Sequence, residues 1–400
     1  MLNKRVFVRI CQVFLFVFVK YYNYMKVLFL SCWYPHRYDR MSGAFVRKHA
    51  IAVSQQGADV CVLCVHREDK QPQMEIVEQE TEHVKEIYVY YNSKESDLLA
   101  LKKGWQQVYA HWGMPQVVQL NVITPTHGLL ALWLKKRHHI PFVIVEHWSG
   151  YLPENGMVAD RGWLYIQLIR YIARNASAIL PVSYRLQHAM QALGLKNTHW
   201  EKINNVVDDF FYAPYEKESH PNTRLLHVSS FCERAKNIRG MLRALRAVAD
   251  VRQDFQMLFV GNDEDYQETR KYADQLCFPD GILSFTGKIA TSQEVCRYMQ
   301  QSDVFLMFSK YENAPVVLSE CKAVGLPIIC SNAGGMPEMM TKETGLIVPS
   351  EDEEALKNAI IYMLDHHQDF TPDAIRNQGK QYSFAIVGQR LINVYGNHIS

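Results

Sequence analysis

Short apolar runs alternate with amphipathic stretches along almost the whole chain, and this alternation constrains the fold more than any other feature. In the first half, helical patterns occupy 43–56, 97–112, 127–138 and 161–175. Between them lie runs rich in β-formers, at 26–31, 59–65, 86–91, 117–123, 141–145 and 178–182. Continuous apolar strands that alternate with helices are typical of a parallel sheet covered on both faces.

The second half repeats this plan after a polar, proline-containing break near 203–222. Strands are predicted at 224–229, 256–260, 282–286, 303–308, 327–331 and 345–348, and helices at 237–250, 265–277, 291–301, 315–324 and 352–365. We therefore expect an α/β protein with two Rossmann-like, doubly wound parallel-sheet domains that face each other across a cleft. Ligands of such sheets bind at the carboxyl ends of the strands.

Composition narrows the function classes. The 400 residues carry 43 Lys and Arg against 41 Asp and Glu, a net charge of +2. No nucleic-acid partner is expected, because nucleic-acid-binding domains carry clustered cations and a strongly basic balance. The nine cysteines are mostly isolated and form no disulfide framework. Cys61 and Cys64 form a CxxC pair inside a predicted buried strand, and we expect no metal there.

Residues 1–24 are predicted to lie outside the fold. Their apolar run at 6–19 is shorter than the about 20 residues of a membrane span, and Arg9 and Gln12 interrupt it. No small-residue cleavage site follows, and Met25 then opens the first apolar strand. Two explanations fit this segment. Either the translation start is assigned upstream of the natural one, or the segment is a tail that contacts a membrane weakly. We expect a cytoplasmic protein, since reduced cysteines suit that compartment.

The strongest functional signal lies at 309–338, directly after a predicted buried strand. Glu312 falls in the loop, and Pro315 fits the first turn of a helix that stops at Gly325. The free N–H groups at the start of this helix, those of Val316, Val317 and Leu318, would point into the cleft. Together with the helix dipole they would form a diphosphate site.

This segment resembles the retaining family-4 glycosyltransferases of GT-B fold, whose signature places a second Glu eight positions after the first. The matching residues are Glu312, Pro315, Glu320, Ala323, Gly325 and Pro327. Asn313 stands where the family usually has Gly, and Asn tolerates a left-handed backbone better than most residues. Two glutamates in a loop and a helix would alone be a weak signal. By resemblance, Glu312 contacts the sugar, Glu320 the ribose, and the donor is bound along Asn313, Ala314, Pro315, Val316 and Val317.

The resemblance covers nearly all of residues 25–400 and implies a role for each half. The first domain, 25–207, would bind the acceptor, and the second, 208–382, the nucleotide-sugar donor. The last helix, 383–400, would pack back on the first domain.

A cationic clamp for the diphosphate is expected at 229–237, which resembles the family segment that carries an Arg and, five residues on, a Lys. Lys236 matches that Lys, although a solvated surface charge is the competing interpretation. Ser230 or Phe231 occupies the usual Arg position, and Arg234 is the nearest substitute. A cation is needed because the leaving diphosphate gains charge during transfer.

Several glycines resemble family elements that approach the donor. Gly43 matches part of a glycine loop after the first strand, and a simple turn is the alternative. Gly261 follows the strand 256–260 and would let the backbone approach the base. Gly334 and Gly335 are interpreted as mainly structural, because paired glycines permit a tight turn.

Two histidines follow predicted strands in the first domain. His147 occupies the place of the family's active-site His, where it would hydrogen-bond the transferred sugar. His127 resembles another family element, although a strand-end His is often only packed and hydrogen-bonded. Trp148 is a candidate for stacking on a sugar, with core packing as the alternative.

The resemblance implies retention by front-face displacement, in which the departing phosphate helps to deprotonate the acceptor. No cofactor or metal is expected, because Lys236 and the helix would neutralise the diphosphate. The acceptor would be a glycan or lipid-linked hydroxyl, in cell-envelope or capsular polysaccharide synthesis. The cations at 102–103 and 135–137 are compatible with contact to the anionic inner face of a membrane. They are equally compatible with ordinary solvated helix ends.

Three alternative functions compete with sugar transfer. An NAD oxidoreductase would need a G-x-G-x-x-G after a strand, which the sequence lacks. A sugar-nucleotide epimerase of GT-B fold shares the architecture, and the glutamate pair with Lys236 favours transfer over it. A non-catalytic nucleotide-sugar-binding protein is motivated by the incomplete glycine loop and clamp.

Overall fold

The computed structural model describes residues 25–287 and 291–399, so the prediction for 1–24 lies outside the described residues. The strands are β1 (Lys26–Ser31), β2 (Asp59–Arg67), β3 (Glu75–Thr81), β4 (Val84–Tyr91), β5 (Val117–Asn121), β6 (Phe142–Glu146), β7 (Ala178–Pro181), β8 (Thr223–Val228), β9 (Phe255–Val260), β10 (Leu283–Phe285), β11 (Val304–Met307), β12 (Ile328–Ser331) and β13 (Gly345–Val348). The helices are α1 (Ala44–Gln55), α2 (Asp97–His111), α3 (Pro125–His138), α4 (Trp163–Asn175), α5 (Tyr184–Ala192), α6 (Glu233–Lys236), α7 (Ile238–Ala249), α8 (Tyr266–Gln275), α9 (Ser292–Gln300), α10 (Val316–Val324), α11 (Glu353–His366), α12 (Pro372–Gly379) and α13 (Phe384–Gly396).

The strands form two sheets, one in each half of the chain. The first has the order β3-β4-β2-β1-β5-β6-β7 and the second the order β10-β9-β8-β11-β12-β13. Every neighbouring pair is parallel except β3 and β4. The predicted pair of doubly wound, Rossmann-like sheets is confirmed. Strand order reverses beside β1 and beside β8, and ligands of open α/β sheets bind at such switch points.

One strand and three helices were missed by the sequence prediction. The expectation of an entirely parallel first sheet was wrong at its edge, where β3 pairs antiparallel with β4. The β3 sequence, EIVEQET, is mostly polar and partly exposed, and charged edge strands lack a clear apolar alternation. The helices α5, α6 and α12 are short and bury few side chains. The other predicted elements agree with the structure to within two residues, apart from a shorter final helix.

Helices cover both faces of the first sheet. On one face, α2 packs on the sheet, with Gly104 against the side chains of Leu63 and Val89, while Gly128 of α3 lies against Ile172 of α4. On the other face α13 packs against α1, where Gly388 approaches the backbone of Ala52. The chain therefore crosses to the second domain and ends on the first. Among residues 25–287 and 291–399, no helix combines the length and apolar content needed to cross a membrane.

Candidate active site

A cavity of about 310 Å³ opens at the carboxyl ends of β8 and β11, and Met41 of the first domain contributes to its wall. It brings together six of the predicted site residues, namely Lys236, Glu312, Pro315, Val316, Val317 and Glu320. A larger cavity of about 580 Å³ lies at the opposite ends of the same strands, beside Thr223 and Asp303. None of the predicted donor or catalytic residues lines it, so we place the site in the smaller cavity.

Helix α10 starts one residue later than predicted. Pro315 precedes the helix with φ −65° and ψ 121° and does not belong to its first turn. The N–H of Leu318 donates to the carbonyl of Pro315 at 3.1 Å. The predicted trio of free donors therefore reduces to the N–H groups of Val316 and Val317, which begin the helix at the cavity. With the positive end of the helix dipole, they suit an anion.

Lys236 and Glu312 form an ion pair at the cavity, with side chains 15% and 13% exposed. The Glu312 carboxylate also accepts from the Ser309 hydroxyl at 3.1 Å. The backbone N–H of Lys310 donates to the carbonyl of Ala235 at 2.7 Å, which ties the turn of Lys236 to the loop of Glu312. The second sheet thus presents one ammonium group and one carboxylate side by side.

Glu320 lies on the second turn of α10 and lines the same cavity. Burial raises its pKa to about 7, while the charge of Lys48 lowers it and that of Asp208 raises it. Lys48, on α1, pairs with Asp208 at 2.9 Å. No sequence pattern singles out Lys48, because its position beside Asp208 depends on the packing of the two domains.

The loop residue Asn313 connects the two domains. It does not adopt a left-handed backbone; instead its side chain bridges the two domains. Its Nδ2 donates to the His147 carbonyl at 2.9 Å, and its Oδ1 accepts from the Ser183 hydroxyl at 2.7 Å. The next carbonyl, that of Ala314, accepts from Asn205 Nδ2 at 3.1 Å. The amide of Asn313 is therefore engaged by the first domain, and this loop is anchored across the cleft.

The turn at Gly334 and Gly335 supports the Glu312 loop by close backbone approach. A side-chain carbon added at Gly334 would lie 1.7 Å from the Glu312 carbonyl oxygen, and one at Gly335 would lie 2.0 Å from that of Asn313. The N–H of Gly335 donates to the Glu312 carbonyl at 3.1 Å. Only glycine fits at such distances. The turn therefore holds the Glu312 loop in place and influences the site only through that loop.

His147 is buried in the first domain, with ring centroids 4.3 Å from Phe45 and 5.5 Å from His49. Burial keeps its pKa well below the ordinary value, and the nearby His49 lowers it further. Within the described part of the chain, its buried Nε2 has no hydrogen-bond partner. His147 does not line the cavity beside α10, and its Nε2 is shielded by the surrounding side chains, so a ligand reaches this nitrogen only after those side chains move.

Glu146, which the sequence prediction missed, organises the backbone around His147. Its fully buried carboxylate accepts from the N–H groups of His147 and Trp148, both at 2.9 Å, and from that of Ile123 at 3.0 Å. Burial raises its pKa to about 7 despite these bonds. The neighbouring Val122 holds φ at 62°, a strained value for a β-branched residue. One sequence feature could have identified Glu146: it is an acidic residue at the end of a predicted strand, directly before the candidate His147.

The other two candidates in the first domain are less accessible than expected. His127 is buried, its Nδ1 lies 2.9 Å from the Thr124 hydroxyl, and burial lowers its pKa to about 4. Trp148 is only 9% exposed, and its ring lies against Gly150 and the ring of Tyr151, 5.2 Å away. The structure offers little of this ring as a stacking surface for a sugar.

Three further candidates lie apart from the cavity wall. Arg234 donates to the carbonyl and side chain of Asn155, at 3.2 and 3.0 Å, so it bridges to the first domain. Gly43 caps α1 with φ 59°, and an added side-chain carbon would lie 2.3 Å from the Trp33 backbone. One at Gly261 would lie 1.9 Å from the Ser229 carbonyl. Both glycines are required by contacts within their own domains.

Comparison with known proteins agrees with this geometry. Residues 42–205 match the profile of the glycosyl transferase 4-like domain, and residues 222–366 match that of glycosyl transferases group 1. Together these two ranges cover more than half of the chain.

Individual relatives are distant. The chain is 25% identical over 265 residues to the GDP-mannose-dependent monoacylated alpha-(1-6)-phosphatidylinositol monomannoside mannosyltransferase of Corynebacterium glutamicum, covering 58% of this chain and 66% of that one. It is 27% identical over 225 residues to the amylovoran biosynthesis glycosyltransferase AmsK of Erwinia amylovora, covering 53% of each. The matched part thus spans between about half and two thirds of these relatives.

A solved structure shows the same architecture. The Anabaena protein HepE, in complex with UDP-glucose, superimposes with a TM-score of 0.68 at 17% identity, over 94% of this chain and 100% of that one. With two facing Rossmann-like sheets, a cavity at the start of α10 and a profile match in each half, the chain belongs to the group 1 glycosyltransferases of the GT-B fold.

Proposed function

We propose that the chain transfers a sugar, with retention of anomeric configuration, from a nucleotide-sugar donor to a hydroxyl of a glycan or lipid-linked acceptor. The observation that carries this proposal is the convergence of Lys236, Glu312 and Glu320 on the start of α10 in one interdomain cavity. The names of the relatives support the donor class, since one uses GDP-mannose and HepE was solved with UDP-glucose. AmsK supports a role in polysaccharide synthesis.

The donor diphosphate would lie against the N–H groups of Val316 and Val317, with Lys236 beside it. Its negative charge would compete with the Glu312 carboxylate for the Lys236 ammonium group. Glu312 would then be free to accept from hydroxyls of the transferred sugar, and Glu320 from those of the ribose. In this proposal Lys236 and the helix dipole stabilise the leaving diphosphate, without a metal ion.

In the transfer step, the bond between the anomeric carbon and the diphosphate oxygen would break as the acceptor oxygen bonds to the same face of that carbon. The departing phosphate oxygen would take the proton of the acceptor hydroxyl. His147, neutral because it is buried, would exchange a hydrogen bond with the sugar through Nε2 once the side chains that shield this nitrogen move on donor binding. Asn313 would hold this His and the Glu312 loop in a fixed relation, because it bonds to the His147 carbonyl.

Release of nucleoside diphosphate tests the proposal. The protein would be incubated with UDP-, GDP- and ADP-sugars, with and without envelope glycans and lipid-linked saccharides, and the anomeric configuration of the product determined by NMR. Acceptor-dependent release with a retained anomer supports transfer. An epimerised nucleotide sugar or epimerised free sugar formed without an acceptor would indicate an epimerase, and binding with neither release nor epimerisation a non-catalytic protein. Loss of release in Lys236→Ala, with Lys310→Ala unchanged, would link turnover to this cavity.

A further inference from the structure

Glu338 belongs to the second domain, and its carboxylate crosses to the first. It lies in the short turn Pro337–Met339 that follows β12. Its two carboxylate oxygens accept from the backbone N–H groups of Tyr184 and Arg185, at 2.7 and 2.6 Å. These are the first two residues of α5, the helix that follows β7 in the first sheet. One side chain therefore joins the two domains by two short hydrogen bonds.

The start of α5 has no acidic residue of its own. The first N–H groups of a helix have no partner within the helix, and they carry partial positive charge. The Ser183 hydroxyl accepts from the N–H of Leu186 at 3.0 Å, and no acidic side chain lies in the first turn. Helix α11, by contrast, starts with Glu353 and Glu354. Glu338 thus supplies, from the other domain, the negative charge that α5 lacks.

Lys202 places a cation of the first domain near the same carboxylate. Its ammonium group lies 4.0 Å from the Glu338 carboxylate and 5.0 Å from the centre of the Tyr184 ring. This segment is bonded to the first sheet, because the N–H of Ile203 donates to the carbonyl of Pro181 in β7 at 3.1 Å. Within residues 25–287 and 291–399, the hydrogen bonds and the ion pair of this carboxylate all join it to the first domain.

The turn that carries Glu338 also contacts the loop of Glu312. The N–H of Gly335 donates to the Glu312 carbonyl at 3.1 Å, and a side-chain carbon added at Gly335 would lie 2.8 Å from the Ser183 side chain. The Ser183 hydroxyl in turn donates to Asn313 Oδ1 at 2.7 Å. The start of α5, the turn and the Glu312 loop therefore pack as one unit, and the bonds of Glu338 fix this unit between the domains.

We propose that Glu338 is a positioning residue for sugar transfer, which holds the cleft closed by binding the start of α5. We call Glu338 with the N–H groups of Tyr184 and Arg185 the interdomain clasp. Hydrogen bonds to an ionised acceptor are stronger than those between neutral groups, and two of them on one carboxylate also fix its orientation. The effect on transfer rests on the proposed function, whereas the closure of the cleft does not.

Loss of the interdomain clasp should separate donor binding from transfer. Apart from Met41, the cavity beside α10 is lined by residues of the second domain, so an open cleft still offers the donor its site. Transfer needs both domains, because the proposed acceptor site lies in the first. We therefore expect Glu338 to act on kcat and to leave the affinity for the nucleotide nearly unchanged.

Hydrogen–deuterium exchange tests the clasp in the full chain. Exchange is followed in the peptide that contains Tyr184 and Arg185, for wild type, Glu338→Ala and Glu338→Gln. The Gln variant keeps one accepting oxygen and loses the charge. Glu343→Ala, at an exposed position five residues further on, is the matched control. Small-angle scattering gives the radius of gyration, titration with UDP, GDP and ADP gives the nucleotide affinity, and thermal unfolding checks that each variant is folded.

In Glu338→Ala we expect at least about tenfold faster exchange of the two N–H groups, because the bonds that protect them are lost. The radius of gyration should increase. We expect kcat to fall by more than about tenfold, since the reacting groups are no longer held in place, and the nucleotide affinity to stay within about twofold. Glu338→Gln should give intermediate values, and the control should match wild type.

Unchanged exchange in Glu338→Ala would overturn the interdomain clasp, whichever reaction the protein catalyses. Faster exchange with an unaltered radius of gyration and an unaltered kcat would limit Glu338 to capping α5 and would refute the positioning role. An affinity for the nucleotide that falls in parallel with kcat would also refute it, because Glu338 would then act through donor binding. Absence of transfer by the wild type would refute the proposed function, and the exchange and scattering results would still decide whether Glu338 closes the cleft.

Discussion

The ammonium group of Lys236 is paired with the carboxylate of Glu312 at the mouth of the cavity beside α10. The two residues follow different strands, β8 and β11, so the pair forms only when the second sheet is assembled. A diphosphate and a sugar hydroxyl are the groups that would each replace one partner. The same two side chains would therefore serve both donor binding and sugar transfer.

Removal of the Lys236 charge should affect transfer far more than stability. In Lys236→Ala we expect kcat/KM to fall on the order of 10²–10³-fold, because a preorganised charge on the leaving group is lost. Lys236→Arg should recover part of the rate. Lys310→Ala is the matched control, since its ammonium pairs at 3.1 Å with Glu351, which does not line the cavity. Equal losses in the two alanine variants would contradict a specific role for Lys236.

Glu320 should make stability depend on pH. Its pKa is raised in the fold from 4.5 to about 7, so between these values the folded protein keeps a proton that the unfolded chain has lost. The free energy of unfolding therefore falls as pH rises through this window and levels off above it. Because the side chain lines an open cavity, we expect a total fall of about 1–2 kcal/mol.

Urea unfolding of wild type and Glu320→Gln at pH 5 and pH 8 measures this contribution. The variant cannot ionise at this position, so its stability relative to wild type should be higher at pH 8 than at pH 5. A difference that is the same at both pH values would show that Glu320 does not titrate in this range.

Asn313 should act as a connection between the domains. Asn313→Ala removes the bonds to the His147 carbonyl and the Ser183 hydroxyl, and we expect a loss of about 1–3 kcal/mol in unfolding free energy together with slower transfer. Asn332→Ala, at an exposed position nearby, should leave both unchanged. Small-angle scattering should show a larger radius of gyration for Asn313→Ala, and an unaltered radius and rate would refute the bridging role.

Gly335→Ala should disturb the Glu312 loop. The added carbon would lie 2.0 Å from the Asn313 carbonyl oxygen and 2.8 Å from the Ser183 side chain, so backbone must shift. We expect reduced thermal stability and transfer slowed by more than tenfold. Gly162→Ala, where nothing lies within 4 Å of the added carbon, serves as the control. Wild-type rates in Gly335→Ala would mean that the loop tolerates displacement.

The two sheets and the site around α10 could be predicted from sequence because they depend on local patterns. Apolar strands between amphipathic helices predicted the architecture, and Glu312, Pro315 and Glu320 lie close together in one short segment. Lys236 was found through a family segment with fixed spacing. Each of these features depends on residues that are close together in the sequence, so it can be recognised in the sequence of this chain alone.

The relations between the domains could not be predicted in this way. The bonds of Asn313 join residues separated by 130 or more positions, and the approach of Lys48 to Asp208 depends on how the domains pack. Arg234 is the cation nearest to the expected clamp position, and its bond to Asn155 of the first domain is a contact that the sequence does not display. Trp148 is buried and packs against Gly150, two positions away, a contact that the sequence does not display.

Donor binding tests the central claim most directly. Thermal unfolding would be followed with UDP-, GDP- and ADP-sugars and with NAD, for wild type, Glu320→Ala and Lys236→Ala. A donor at about 100 times its dissociation constant adds roughly 2.7 kcal/mol of stability. We predict that one nucleotide sugar raises the wild-type unfolding temperature and that both variants lose most of this shift. No shift with any nucleotide sugar, or a shift with NAD alone, would contradict the assignment of the cavity beside α10 as a donor site.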